Sequence, residues 1–69
     1  MTKFVHIVQV HPVENGEPNL YKVKFEEEFE YRDEATASVI EMNILFKEQG
    51  KDLRAVYYGC VNDETGELV

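Results

Sequence analysis

The stretch KFVHIVQVHPVENGEPN, residues 3 to 19, decides how this chain folds. Residues 3 to 11 are rich in β-branched and aromatic side chains, a composition typical of a β-strand. Asn15 and Gly16 then form the strongest short signal for a hairpin, because a type I′ turn needs positive φ at both of its central residues. We therefore predict that the chain reverses at this dipeptide and returns as a second strand.

The returning strand is predicted in YKVKFEEEFEYRDE, residues 21 to 34. Apolar side chains occupy alternate positions there, which places them on one face of an extended chain. Glu27 falls in the same register as these apolar side chains. With a turn at residues 15 and 16, Glu27 is expected on the core side of the sheet, opposite Phe4 and diagonal to His6.

The same register gathers a core face on one side of the hairpin. Its members are Phe4, His6, Val8, Val10, Tyr21, Val23 and Phe25. The opposite face is mostly polar but holds Val5 and Ile7, two aliphatic side chains that a fully solvated face would not need. Pro12 and Pro18 cannot donate to the ladder near the tip, so a wider loop with the same register remains open.

A helix is predicted from about residue 33 to residue 49, with Asp33 as its N-cap and Gly50 just beyond its end. At 100° per residue, one apolar stripe of this helix faces the sheet, formed by Ala35, Val39, Met42 and Phe46. The predicted hydrophobic core combines side chains of the hairpin and the helix: Val8, Val10, Val23, Phe25, Val39, Met42 and Phe46.

A third strand is predicted over residues 53 to 61, and a turn at Gly66 leads to a short last strand at 67 to 69. The resulting order, ββαββ, predicts an α+β fold in a single domain spanning residues 1 to 69. We expect an antiparallel or mixed sheet of three or four strands with one helix packed across one face. A variant in which the sheet cradles that helix remains open.

The predicted helix carries a second apolar stripe, Ala37, Ile40 and Ile44, on nearly the opposite side from the first. A surface helix ordinarily has one such stripe. Contact between two copies in a two-fold homodimer would bury it. Alternatively, the last strand or the loop at residues 12 to 19 folds over it within one chain.

The net charge of −7 is concentrated in residues 26 to 34, which hold six carboxylates and one base, Arg32. Such a surface repels phosphates and anionic membranes, so we expect neither direct nucleic-acid binding nor membrane binding. A basic protein partner is the expectation instead. The predicted partner-binding residues are Ala37, Ile40, Ile44, Glu26, Glu28, Glu30, Val5 and Ile7.

Cysteine content and hydropathy indicate the compartment in which the protein is expected. Cys60 is the one cysteine, so no disulfide forms within the chain. The N-terminal stretch has no signal-peptide cleavage site, and no apolar run approaches the roughly 20 residues that cross a bilayer. We expect a cytoplasmic protein that gains stability by self-association, since domains this small rarely rely on their core alone.

Motifs for catalysis and metal binding are sparse. His6 and His11 are five residues apart on a strand and point to opposite faces, so they cannot share an ion. Cys60 has no second ligand at a metal-binding spacing. We predict no catalytic residue, no cofactor and no metal. A pair between His6 and Glu27 is the one arrangement that resembles an acid/base site, and a structural pair or an exposed edge glutamate explains the same residues.

The leading functional hypothesis is a non-enzymatic, acidic protein-interaction module that forms a homodimer. In size, acidity and lack of site motifs the chain is similar to the short accessory proteins of bacteriophages and mobile elements, which implies binding and modulation of a host protein. In a sharper form, the acidic face at residues 26 to 34 mimics nucleic-acid phosphates. The alternative hypothesis is a small-molecule-binding or enzyme accessory domain with a pocket near His6 and Glu27.

Overall fold

The computed structural model describes residues 3–69 and confirms the α+β fold class. Its elements are β1 (Phe4–Glu14), β2 (Glu17–Pro18), β3 (Phe25–Phe29), α1 (Arg32–Glu48) and β4 (Leu53–Asn62). β1 pairs with each of the other three strands, always antiparallel. Because β3 and β4 pair with the same stretch of β1, they lie on its two opposite edges and run parallel to each other. Helix α1 connects them by crossing over β1.

The hairpin turn forms where the sequence predicts it. Asn15 and Gly16 have φ of 56° and 80°, and Glu14 lies opposite Glu17. Positive φ at both positions is the requirement of a type I′ turn. The tip of the hairpin is therefore confirmed.

Beyond the tip, the predicted register is wrong by four residues. Val10 lies opposite Phe25 instead of Tyr21. The cause is a turn at Asn19, whose Oδ1 accepts a hydrogen bond from the Tyr21 backbone N–H at 3.0 Å and whose carbonyl oxygen accepts one from Lys22 N–H at 3.1 Å. Asparagine side chains form such turns readily. Residues 19 to 24 therefore leave the ladder as a loop before β3 begins.

The main core lies between the sheet and α1. Its buried members are Val8, Val10, Ala35 and Ala55, and the partly buried side chains packed on them are Phe29, Val39, Met42, Phe46, Leu53 and Tyr57. The predicted inner stripe of the helix is thus confirmed. Val23 and Phe25 were expected in this core but are 44% and 43% exposed, because the register shift replaces them with Phe29.

The helix ends differ in how they are capped. α1 begins one residue before the predicted start, and its N-cap is Tyr31 rather than Asp33, with no side-chain cap. Asp33 lies in the first turn, where a carboxylate interacts favourably with the helix dipole. At the other end Gly50 has φ of 66°, its N–H donates to the Lys47 carbonyl, and Lys51 N–H donates to the Phe46 carbonyl at 2.9 Å. This pair of bonds is a Schellman motif.

A second cluster occupies the sheet face opposite the helix. Val5, Ile7 and Val61 are 4%, 5% and 8% exposed. The segment 67–69 pairs with the end of β4, and Leu68 lies over Gly59, where a Cβ would meet its Cδ2 at 2.8 Å. Since Gly59 is opposite Ile7, Leu68 lies on the same face as that cluster. The expectation that Val5 and Ile7 are exposed is therefore wrong.

β4 contains a bulge that places its two adjacent tyrosines differently. Ile7 pairs with Gly59 and Val8 with Tyr57, so Tyr58 is an extra residue in the ladder. Tyr57 packs on the main core, whereas Tyr58 is 49% exposed. Within residues 3–69, no helix has the length and apolar character needed to cross a membrane.

Candidate functional site

The outer stripe of α1 is open to solvent. Ile40 and Ile44 are 62% and 53% exposed, Ala37 is exposed, and Leu45 beside them is 50% exposed. The alternative in which the last strand covers this stripe is wrong, because that segment lies on β4 and on the opposite face of the sheet. The loop at residues 12 to 19 forms the hairpin tip and does not bury the stripe either. The stripe is therefore an apolar surface that no segment of residues 3–69 covers.

The free energy gained when the outer stripe is covered can be estimated from these exposures. Full burial of an isoleucine or leucine side chain contributes roughly 1.5–3 kcal/mol. About half of Ile40, Ile44 and Leu45 is still exposed, so covering each of them contributes on the order of 1 kcal/mol. This is a modest driving force, comparable to that of a weak interface.

The acidic segment lies along an edge of the sheet. Glu26, Glu27 and Glu28 are consecutive exposed residues of β3, and Glu30 follows directly after the strand. Within residues 3–69, one ion pair shorter than 4 Å is found, between Lys22 and Glu14. None of these four carboxylates therefore has a basic side chain of residues 3–69 at ion-pair distance. Charged side chains on an edge strand oppose pairing with another strand. The segment keeps a strong negative field and resists edge-to-edge aggregation.

Glu27 is exposed and lies opposite Val8, not opposite Phe4. His6, its proposed partner, has Nδ1 2.8 Å from the hydroxyl oxygen of Tyr57. The guanidinium carbon of Arg32 lies 5.4 Å from the centroid of the same tyrosine ring, within range of a cation–π contact. His6 therefore contacts the hydroxyl of Tyr57, and it is the ring of that tyrosine that faces Arg32. Sequence alternation alone could not identify Tyr57, because the bulge in β4 changes which tyrosine faces the helix.

His11 holds the loop of residues 19 to 24 against the sheet. Its side chain is 1% exposed, and Nδ1 donates a hydrogen bond to the Lys22 carbonyl oxygen at 2.6 Å. Because a carbonyl only accepts, the proton is on Nδ1, and Nε2 has no partner among residues 3–69. His11 therefore has a structural role in holding this loop. The sequence pattern predicted its place on the first strand but not this contact.

Glu14 fastens the same loop from the hairpin. Its carboxylate accepts a hydrogen bond from Asn19 Nδ2 at 3.0 Å and one from Lys22 Nζ at 3.3 Å. The Asn19 hydrogen bond and then the Lys22 contacts lower the pKa of Glu14 below its ordinary value. The loop therefore has one buried and one exposed attachment point.

The described residues form surface cavities, of which two have defined linings. The larger, about 390 Å³, is lined by Val13, Asn43, Lys47, Lys51, Asp52, Leu53 and Arg54. The smaller, about 340 Å³, is lined by Gln9, His11, Leu20, Val56, Tyr57 and Tyr58. Neither is lined by His6 or Glu27, where the sequence suggested a pocket. Within residues 3–69, no group of three or more histidine, cysteine or acidic side chains is arranged to hold a metal ion.

No protein-family model, curated protein or solved structure matches this chain. Its function must therefore be inferred from its own residues. Among residues 3–69, the outer stripe of α1 and the acidic edge of β3 are two of the surfaces that the fold leaves without a counterpart.

Proposed function

We propose that this chain is a non-enzymatic protein-interaction module that acts by covering the surface of another protein. The outer stripe of α1 is the apolar contact and also the interface of a homodimer. The acidic edge of β3 selects a basic partner. The observation that carries this proposal is the exposure of Ile40 and Ile44, 62% and 53%, on a helix whose other face is packed.

The outer stripe contributes to a homodimer but is not sufficient for one. Three side chains from each copy, each contributing on the order of 1 kcal/mol, give about 6 kcal/mol. Association costs an estimated 4–15 kcal/mol in lost freedom of motion. The apolar contact offsets only the lower end of that cost, so a dimer at millimolar concentration needs further contacts across the interface, and a heterologous partner with better complementarity displaces it.

The homodimer contact and the contact with a basic partner should respond to salt in opposite directions. In a two-fold dimer Glu41 and Glu48 flank the stripe and approach their symmetry mates, so added salt screens a repulsion and strengthens the dimer. A basic partner held by β3 shows the opposite behaviour, because salt screens an attraction. The sign of the salt dependence reports which surface is engaged.

A sharper form of the proposal is that β3 imitates a nucleic-acid strand. Residues of an extended strand are about 3.3 Å apart, and phosphates along one DNA strand advance about 3.4 Å per charge. Along its axis β3 carries one carboxylate per residue from Glu26 to Glu28, divided between two faces, so Glu26 and Glu28 share one face about 6.6 Å apart and Glu27 lies on the other. The basic partner in this form is a nucleic-acid-binding protein, as for an accessory protein of a phage or mobile element that modulates its host.

Light scattering with two substitutions tests the apolar contact. We expect the wild type to shift toward a dimer as its concentration rises, and Ile40→Glu or Ile44→Glu to remain a folded monomer. Tyr21→Glu is the matched control, because Tyr21 is fully exposed in the loop and the same chemical change there leaves dimerisation intact. A wild type that stays monomeric at millimolar concentration contradicts the homodimer.

Capture from host lysate followed by a salt gradient tests the acidic edge. Proteins retained through β3 should elute as salt rises, and a triple variant with Glu26, Glu28 and Glu30 changed to Gln should not retain them. Nucleic-acid-binding proteins among the eluted species support the sharper form. Retention that persists at about 1 M salt, where the Debye length is roughly 3 Å, or that is unchanged in the triple variant, contradicts a role for these carboxylates.

A further inference from the structure

The larger cavity concentrates positive charge in an acidic protein. The chain has seven basic and fourteen acidic residues, yet three basic side chains, Lys47, Lys51 and Arg54, and one acidic one, Asp52, line this cavity. Its formal charge is therefore +2 in a chain of net charge −7. This is the reverse of the charge carried by the rest of the surface.

Among residues 3–69, none of the three cations has a carboxylate within 4 Å. The ion pair found at that distance joins Lys22 to Glu14, the residue after Val13 of the cavity lining, and involves none of them. Asp52 is thus not within ion-pair distance of Lys47, Lys51 or Arg54. Three cations gathered without a carboxylate at contact distance repel one another, and a bound anion removes that repulsion.

The backbone around the cavity is held in place by specific hydrogen bonds. Asn43 Nδ2 donates to the Ala55 carbonyl at 3.0 Å, and Ala55 N–H donates to Asn43 Oδ1 at 2.8 Å, which ties α1 to β4. Val13 N–H donates to the Asp52 carbonyl at 2.8 Å. The Schellman motif at the end of α1 fixes the backbone from Lys47 to Lys51. The positions from which the cationic side chains extend are therefore fixed before any ligand arrives.

We propose that this cavity binds a small anion carrying two or more negative charges, of the phosphate or polycarboxylate class. Its volume of about 390 Å³ is within the range of small-molecule sites. Arg54 offers a planar fork that fits two oxygens of one anionic group, and the two lysines add point charges. The C-terminal end of α1 opposes an anion with roughly half a unit of negative charge, which the formal +2 of the lining outweighs.

Thermal unfolding at constant ionic strength tests the site. Inorganic phosphate and citrate are each compared with chloride, and a ligand of the native state raises the melting temperature with its concentration. We expect both probes to stabilise the wild type, and the double variant Lys47→Gln/Arg54→Gln to bind at least 10-fold more weakly. All substituted positions are exposed, so the variants should fold.

A second double variant separates the site from general effects of the salts. Phosphate stabilises many proteins by exclusion from their surface, so Lys3→Gln/Lys24→Gln, which removes two cations elsewhere, must keep the full wild-type response. Backbone amide shifts of Lys51 and Asp52 on addition of phosphate locate the ligand.

Equal responses of the two double variants overturn the proposal. The proposal is also overturned if neither phosphate nor citrate raises the melting temperature while a synthetic peptide of residues 25–34 binds. In that case the ligand of the cavity is the acidic strand of a second copy.

Discussion

Among the apolar surfaces of residues 3–69 that lie outside the main core, the chain covers one and leaves another exposed. On the sheet face opposite the helix, Val5 and Ile7 are 4% and 5% exposed beneath a segment that returns along β4. On the outer side of α1, Ile40 and Ile44 are 62% and 53% exposed. Surplus apolar residues in a sequence therefore do not by themselves identify a binding surface. Whether such residues stay exposed depends on whether another segment of the same chain can reach and cover them.

In this fold the topology determines which apolar surface a terminal segment can cover. β4 ends beside β1, so the residues that follow it need only a short turn at Gly66 to lie along its edge. The outer side of α1 faces away from the sheet, and both connections of the helix lead back to strands. A segment covering it would have to cross the whole helix.

The largest contrast is expected between the two faces of α1. Phe46→Ala should lower the free energy of unfolding by about 3 kcal/mol, the lower end of the range for such truncations, because Phe46 is partly buried against the core. Ile40→Ala should change it by less than about 0.5 kcal/mol in dilute monomer. Chemical denaturation at low protein concentration measures both. Equal losses in the two variants would mean that the outer stripe is packed in solution.

Removing the cover of the other surface should have an intermediate effect. Leu68→Ala should lower the free energy of unfolding by about 1 kcal/mol, since Leu68 is 57% exposed and its remaining contacts lie over Gly59. Val69→Ala is the matched control, because Val69 is 78% exposed and its side chain has little to lose. Thermal melts of both variants distinguish them. An unchanged melt for Leu68→Ala would show that Val5 and Ile7 do not depend on this segment.

The smallest expected effect concerns the loop that leaves the ladder. The pKa of Glu14 is lowered mainly by the hydrogen bond from Asn19 and then by Lys22. A lowered folded-state pKa means that the stabilisation is present above the ordinary pKa of glutamate and is lost as pH falls through the lowered value. The protection factors of the amides of residues 19 to 24, which are the exchange rates measured by NMR corrected for the intrinsic rate at each pH, should therefore fall in acid. Glu14→Gln should show the lower protection already at neutral pH, and a loop whose protection is the same under both changes would contradict this role.

Much of the fold was predictable from local signals. The Asn15-Gly16 turn, the helix with its inner stripe of Ala35, Val39, Met42 and Phe46, and the strand that became β4 follow from patterns within a few residues. The register of β3 did not, because it depends on a turn at Asn19 that competes with continued pairing. A proline at 18 followed by asparagine was the available warning, since the pair favours a turn over a ladder.

The candidate surfaces were predictable only in part. The two-stripe pattern of α1 correctly marked Ile40 and Ile44 as unusual, but it could not show whether the chain covers them. Val5 and Ile7 gave the same kind of signal and proved to be buried. The cationic cavity was missed, because Lys47, Lys51 and Arg54 are brought together by a helix end and a following strand and form no motif in sequence.

The central position of β1 has a consequence for how the chain is made in the cell. His6 and Tyr57, which contact each other across the β1–β4 pair, are 51 residues apart. Translation at about 5–20 residues per second leaves a delay of about 3–10 s between their synthesis. During that interval the apolar side chains of β1 have no β4 to pair with. The nascent chain therefore keeps one edge of β1 unpaired with β4 during that interval, and slow codons before β4 would lengthen it.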